Sequence, residues 1–281
     1  MNWINILNIC EWDLLRLSII GLCITISISA GETIYLAEKL YGNSGLLNWE
    51  ILKMNSNRTN HGFISSFLNT LFLEKNYRTL QFGIITTAIL AITLAAINVN
   101  DSIIWIIIFL ILFLNQILIY TRSGYGIDGS DQLKVIITFS ILGYFCFFNI
   151  GPIRYLFLGF TTINLFLSYF VAGFAKLISI AWLNGSAIKG IASTSIFGNK
   201  MIFKFVKDSI ILQKMISYST IIFEVGIIFI FLDPIPLTLF YMILGILFHI
   251  TVALTMGLNS FVFTFTSAYP LVLILLKFLM V

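Results

Sequence analysis

Between residues 14 and 279 the chain is a succession of apolar runs separated by polar turns, and each run is near the ~20 residues needed to cross a hydrocarbon layer. No other feature constrains the fold as strongly. Within lipid, every backbone N–H and C=O must be satisfied inside the protein, so spans of this length and composition form helices. The runs predict helices at about 14–30, 82–97, 102–120, 132–148, 155–180, 215–232, 237–256 and 260–279. The expected fold is therefore all-α: a polytopic transmembrane helical bundle of about eight helices in one domain covering residues 1–281. Composition points the same way, since only 10% of residues are charged where soluble domains carry about 25%. The expected setting is a cell membrane, crossed many times, with the lipid bilayer as the first partner. Nucleic acid is not expected as a partner, because the basic residues fall in loops and not in one stripe.

Two stretches do not read as spans. Residues 63–73 suit a short helix lying against the bilayer. Residues 190–214 predict a basic amphipathic helix in the headgroup plane, with Lys200, Lys204, Lys207 and Lys214 on one face and Phe203, Val206 and Ile210 on another. The first apolar run ends in Ser-Ile-Ser-Ala, which faintly resembles a cleavage site. Glu11 and Asp13 precede it where a signal peptide carries positive charge, so a retained helix is expected. Cys10, Cys23 and Cys146 show no paired spacing and no neighbouring His, and read as buried small hydrophobes. No metal site is expected, because no His-Glu-x-x-His is present. The phosphate-loop spacing and the nucleophile elbow are absent too.

Polar residues inside the apolar runs mark the candidate site. Along 168–185 a face of small residues, Ser168, Ala172 and Gly173, leads to Lys176, after which the run leaves the membrane through Trp182 and Asn184-Gly185. A lysine there either snorkels to the headgroups from the helix end or serves a site. Glu224 lies near the middle of its run, where an unpaired carboxylate costs roughly 2.5–3.5 kcal/mol. His249, on the next helix, lies at a similar depth, roughly 12–14 Å below one face. Two arrangements suit this pair: a Glu224–His249 hydrogen bond that locks two helices, or one wall of a polar cleft that Lys176 also enters. Ser130 or Asp131 fits as the N-cap of the fourth span, and a chemical role for Asp131 stays open beside that.

Tyr169-Phe-Val-Ala-Gly-Phe-Ala-Lys-Leu177, followed by Trp182 and Gly185, resembles the corresponding stretch of vitamin K-dependent gamma-glutamyl carboxylase and of its bacterial HTTM (horizontally transferred transmembrane) relatives. Gly129-Ser-Asp-Gln-Leu133, Glu224, and His249 with Gly257-Leu-Asn-Ser-Phe261 resemble the bacterial branch, and the similarity runs over roughly 65–270. The resemblance implies carboxylase-like lyase chemistry in which Lys176 is the base, supported by Glu224 and His249, with Trp182, Gly173 and Asp131 around the cofactor. It implies a reduced quinone, of the vitamin K or menaquinol kind, as that cofactor. A lysine in an apolar setting is physically suited to act as a base. Two departures stand out: the spacer from Leu177 to Trp182 is one residue longer, and Asp131 stands where the carboxylase carries an Asn-His pair. In size and architecture the chain resembles the short SdpB-like proteins, which implies maturation of an exported antimicrobial peptide, with that peptide and an accessory protein as partners. A non-catalytic accessory or immunity protein is the alternative. A small-solute transporter fits less well, since neither repeat symmetry nor matched interrupted helices are visible. The Lys and Arg of the loops after the first, third and fifth spans put those loops in the cytoplasm by the positive-inside rule, whereas the resemblance implies the outside.

Overall fold

The structure is a computed structural model and describes residues 9–42, 45, 47–55, 63–123, 128–232 and 234–280. Among the described residues there are thirteen α-helices and no strand. They are α1 (Glu11–Tyr35, extended by a π turn at Ala37–Tyr41), α2 (Trp49–Asn55), α3 (Phe63–Leu71), α4 (Glu74–Ala96), α5 (Ser102–Ser123) and α6 (Gly129–Cys146). Then follow α7 (Gly151–Leu177), α8 (Ile180–Leu183), α9 (Ser186–Ser193), α10 (Lys200–Val206) and α11 (Ile210–Gly226, extended by a 3-10 turn at Ile227–Phe231). The hairpin α12 (Pro234–Met256) and α13 (Asn259–Leu279) completes the order.

Among the described residues seven helices, α1, α4, α5, α7, α11, α12 and α13, are long and apolar enough to cross a membrane, and the chain is a multi-pass membrane protein. The expected span at 132–148 is α6, which falls short of that standard because Asp131, Gln132 and Lys134 occupy its first two turns. Protein covers α6 in place of lipid: Leu133, Ile137, Ile141, Tyr144 and Phe145 are all buried, as are the polar Lys134, Thr138 and Ser140. The second expected span starts a full two turns early, at Glu74, because helix propensity carries through Glu74-Lys-Asn-Tyr-Arg where hydropathy alone sees a loop. The short helix expected at 63–73 is α3.

The chain divides into two compact units, Ile19–Phe157 and Met1–Ser18 with Leu158–Val281. In the first, α4 and α5 form a hairpin turned at Asn98, whose φ of 66° lies in the left-handed region that Asn tolerates. The buried alanines 88, 91 and 95 give α4 a smooth inner face. Asp101 Oδ1 accepts from the Ile103 N–H at 2.8 Å and starts α5. The buried indole of Trp105 stacks on Phe145 of α6 at 5.8 Å. At the far end of α5, Arg122 is fully buried among the rings of Tyr41, Trp49, Phe72 and Tyr77, at 4.9–6.0 Å from their centroids.

Two expectations at helix ends change. The N-cap of α6 is Asp128 instead of Ser130 or Asp131, because the helix begins one turn earlier. Its carboxylate accepts from Ser130 N at 2.8 Å and from Asp131 N at 3.0 Å, and Asp131 closes a capping box by accepting from Asp128 N. The single amphipathic helix of 190–214 is three helices, because two side chains cap new starts inside it: Asn199 Oδ1 accepts from Met201 N at 2.9 Å, and Ser209 Oγ from Leu212 N at 3.3 Å. Lys214 consequently falls inside the span α11, in its second turn. Of the cysteines only Cys23 is buried; Cys10 and Cys146 are exposed near helix ends. Gly124 and Gly126 of the loop before α6 lie outside the described residues.

In the second unit, Ser18 Oγ donates to the Ser267 carbonyl of α13 at 2.5 Å. The α8–α10 connection is fastened to α11 at several points. Ser217 Oγ donates to the Trp182 carbonyl at 2.5 Å, and Gln213 Nε2 to the Val206 carbonyl at 2.6 Å. Gly185, at φ 85°, turns so close to α11 that a Cβ would stand 2.9 Å from Lys214 N.

Candidate functional site

Lys176 stands in the last turn of α7 and Glu224 in the last turn of α11, and α7 can lie against α11 because Gly173 faces Glu224. A Cβ at Gly173 would stand 2.7 Å from Glu224 Cβ and 2.8 Å from Val225 N. That closeness lets Lys176 Nζ reach Glu224 Oε2 at 2.5 Å. The Lys176 side chain is 19% exposed and that of Glu224 6%, so one end of the pair is reachable and the other is enclosed. Nζ also lies 5.2 Å from the Trp182 ring centroid and 3.4 Å from the Ala172 carbonyl. The half-buried Trp182 is held there by the Ser217 hydrogen bond to its own carbonyl. A net-neutral pair under an aromatic face is an arrangement that a low-dielectric interior tolerates.

Two turns earlier on α7, about 10 Å along the axis, Tyr169 anchors a second polar group. Its hydroxyl is 2.7 Å from His249 Nε2 on α12 and 2.9 Å from the Tyr269 hydroxyl on α13. All three side chains are buried, and Phe265 lies against the imidazole with centroids 4.2 Å apart. His249 Nδ1 is buried and has no hydrogen-bond partner among the described residues. Gly245, one turn before His249, makes room for the two phenols: a Cβ there would come within 3.3 Å of the Tyr169 hydroxyl and overlap that of Tyr269. On the side of Tyr169 away from Lys176, a narrow apolar cleft is lined by Leu165, Phe166, Tyr169, Tyr241, Met242 and Tyr269, with the Thr238 hydroxyl, which has no partner among the described residues, in its wall.

The structure therefore re-pairs the expected residues. Glu224 and His249 do not bond to each other: Glu224 takes Lys176, and His249 takes Tyr169. The physical reason is that α7 presents both partners. Lys176 reaches Glu224 past Gly173, while Tyr169, Phe261 and Phe265 draw the imidazole into an aromatic stack. Lys176, Glu224, Gly173, Trp182 and His249 all belong to the unit that contains Leu158–Val281, and Asp131 belongs to the other. There Asp131 accepts from Lys134 Nζ at 2.7 Å, and the same ammonium donates to Ser29 Oγ on α1 at 2.6 Å.

Tyr269 and Gly245 carried no signal in the sequence, since a tyrosine beside Pro270 and a glycine in an apolar run are both commonplace in membrane helices. Tyr169 opened the motif around Lys176 but its partners lie 80 and 100 residues away. Among the described residues no group of three or more His, Cys, Asp or Glu comes together to hold a metal ion. No family model, no curated protein and no solved structure matches the chain.

Proposed function

We propose that this multi-pass membrane protein removes a proton from a weakly acidic, ring-borne hydroxyl at the Lys176–Glu224 pair, in the service of modifying an exported peptide. The observation that carries the reading is the 2.5 Å pair with its lysine end reachable under Trp182. Lys176 meets the hydroxyl and Glu224, in contact with Nζ, is the proton's destination, so the two act together. The hydroxyl O–H bond breaks and its electrons stay on oxygen. Lys176 Nζ, the reachable end, takes the hydroxyl proton while giving one of its own to Glu224 Oε2, 2.5 Å away, so the site gains one positive charge as the ligand gains one negative.

A reduced quinone of the vitamin K or menaquinol kind supplies such a hydroxyl when bound. The donor set fits it: a reachable ammonium, an enclosed carboxylate, the Trp182 face, and the exposed apolar side chains of Phe174 and Leu177 on the same helix. Lys176, Glu224 and Trp182 are the residues that would hold it. Gly173 positions the pair, and Tyr169 with His249 and Tyr269 ties α7 to α12 and α13 behind it.

One observation favours a second reading. Lys176 and Glu224 neutralise each other and fasten α7 to α11, which is all a non-catalytic accessory or immunity protein needs of them. Mass spectrometry of exported peptides separates the two, with cells carrying wild type, the neutral double variant Lys176→Met/Glu224→Gln, or no protein. A peptide whose mass changes only with wild type supports proton-transfer chemistry. Peptides that are the same with wild type and double variant, but lost without the protein, support the accessory reading. Identical peptides in all three cells overturn both.

A further inference from the structure

The connection between α7 and α11 carries a second feature, independent of the ion pair. Lys189, Lys200, Lys204, Lys207 and Lys214 are all exposed, and the one acid within 186–214 is Asp208. Its carboxylate is 82% exposed and 3.6 Å from Lys207, so it offsets little of the charge. Lys200, Lys204 and Lys207 recur at the i, i+4, i+7 spacing of one helical stripe. Met201 and Phe205 form the neighbouring stripe and stand 72% and 70% exposed, and Ile196 and Ile211 flank them at 79% and 75%. Neither stripe can turn inward, because α10 is docked by its buried Val206, whose carbonyl accepts from Gln213 of α11.

A chain in water gains nothing by holding such a stripe open. Here the segment leads directly into α11, a candidate span, so the boundary between headgroups and acyl chains is the nearest apolar medium. A basic stripe beside an apolar one is the arrangement that lies in that boundary, and the charge sign selects the lipid. We infer that α9, α10 and the first two turns of α11 form a binding surface for anionic phospholipid headgroups. Met201 and Phe205 enter the acyl boundary, and the lysines take the phosphates. The occupant follows from charge complementarity, four uncompensated positive charges in a segment of 29 residues, 186–214.

The test is native mass spectrometry of the full-length protein in mild detergent, titrated with phosphatidylglycerol or phosphatidylcholine. Wild type binds phosphatidylglycerol at least about ten-fold more tightly, each lysine near an anionic headgroup contributing up to about five-fold. Added salt shrinks that preference. In Lys200→Gln/Lys204→Gln/Lys207→Gln/Lys214→Gln the ratio falls towards one, whereas Lys39→Gln/Lys75→Gln leaves it unchanged. Met201→Gln/Phe205→Gln weakens both lipids alike and keeps the ratio. All these side chains are exposed, and an unchanged melting temperature shows that each variant is folded. Absence of a preference in wild type, or a preference that survives the four-lysine substitution, overturns the inference; in the first case an acidic protein partner becomes the occupant to seek.

Discussion

Removing one member of the Lys176–Glu224 pair and then both gives the most informative perturbation of this molecule. In Lys176→Met the Glu224 side chain, 6% exposed, loses its cation while methionine keeps the volume. Stranding one half of a buried pair costs about 3–5 kcal/mol, and the 19% exposure of the lysine end, which admits water, puts this case near 3. Glu224→Gln is milder. The stranded lysine is the more exposed partner, 19% against 6%, and keeps contact with water, which limits the loss to about 1 kcal/mol. The double variant Lys176→Met/Glu224→Gln buries no charge and returns to within about 1 kcal/mol of wild type, a coupling of about 3 kcal/mol. Equilibrium unfolding by sodium dodecyl sulfate in mixed micelles, followed by circular dichroism, measures all four proteins. Additive single effects would show that the two side chains are not coupled, and a Glu224→Gln defect larger than that of Lys176→Met would show that Glu224 is not the enclosed end. The double variant also separates stability from chemistry, since it retains the fold without the base.

Gly173→Ala drives a methyl into the Glu224–Val225 backbone and should cost about 1–3 kcal/mol by the same unfolding measurement. Gly83→Ala, where a Cβ meets open space in the middle of α4, should gain up to about 1 kcal/mol; equal effects would refute the close approach of α7 and α11. Tyr169→Phe strands His249 and Tyr269 together and should cost about 2–4 kcal/mol, while Tyr269→Phe removes one bond and costs about 1, so a reversed order would dismiss Tyr169 as the hub. At Arg122, thermal melting should rank Arg122→Met above Arg122→Lys. The guanidinium's flat, weakly hydrated face suits the four rings around it and an ammonium does not, whereas methionine removes the buried charge altogether. A lysine variant as stable as wild type would contradict that account.

The helices were legible in the sequence because hydrocarbon leaves a chain few choices: an apolar run of about 20 residues must satisfy its own backbone, and it does so as a helix wherever it is packed. The spans after α6 start within a few residues of where hydropathy puts them. Boundaries failed where polar residues continue a helix, as at Glu74-Lys-Asn-Tyr-Arg before α4, and where a single side chain restarts one, as at Asn199 and Ser209. The unusual residues of the site were legible too, since Lys176, Glu224 and His249 are costly in lipid wherever they point.

Their pairing was not. Depth along consecutive helices put Glu224 beside His249, but depth does not say which way a side chain faces, and rotation about each helix axis is set by packing. A glycine at 173 brings one pair of helices close enough for Lys176 to take Glu224. A glycine at 245, opposite two phenols on α7 and α13, turns His249 to Tyr169. Hydropathy and polar residue types alone imply a multi-pass helical membrane protein with three ionisable residues in need of partners; which partners they take follows from where the absence of a side chain lets two helices approach.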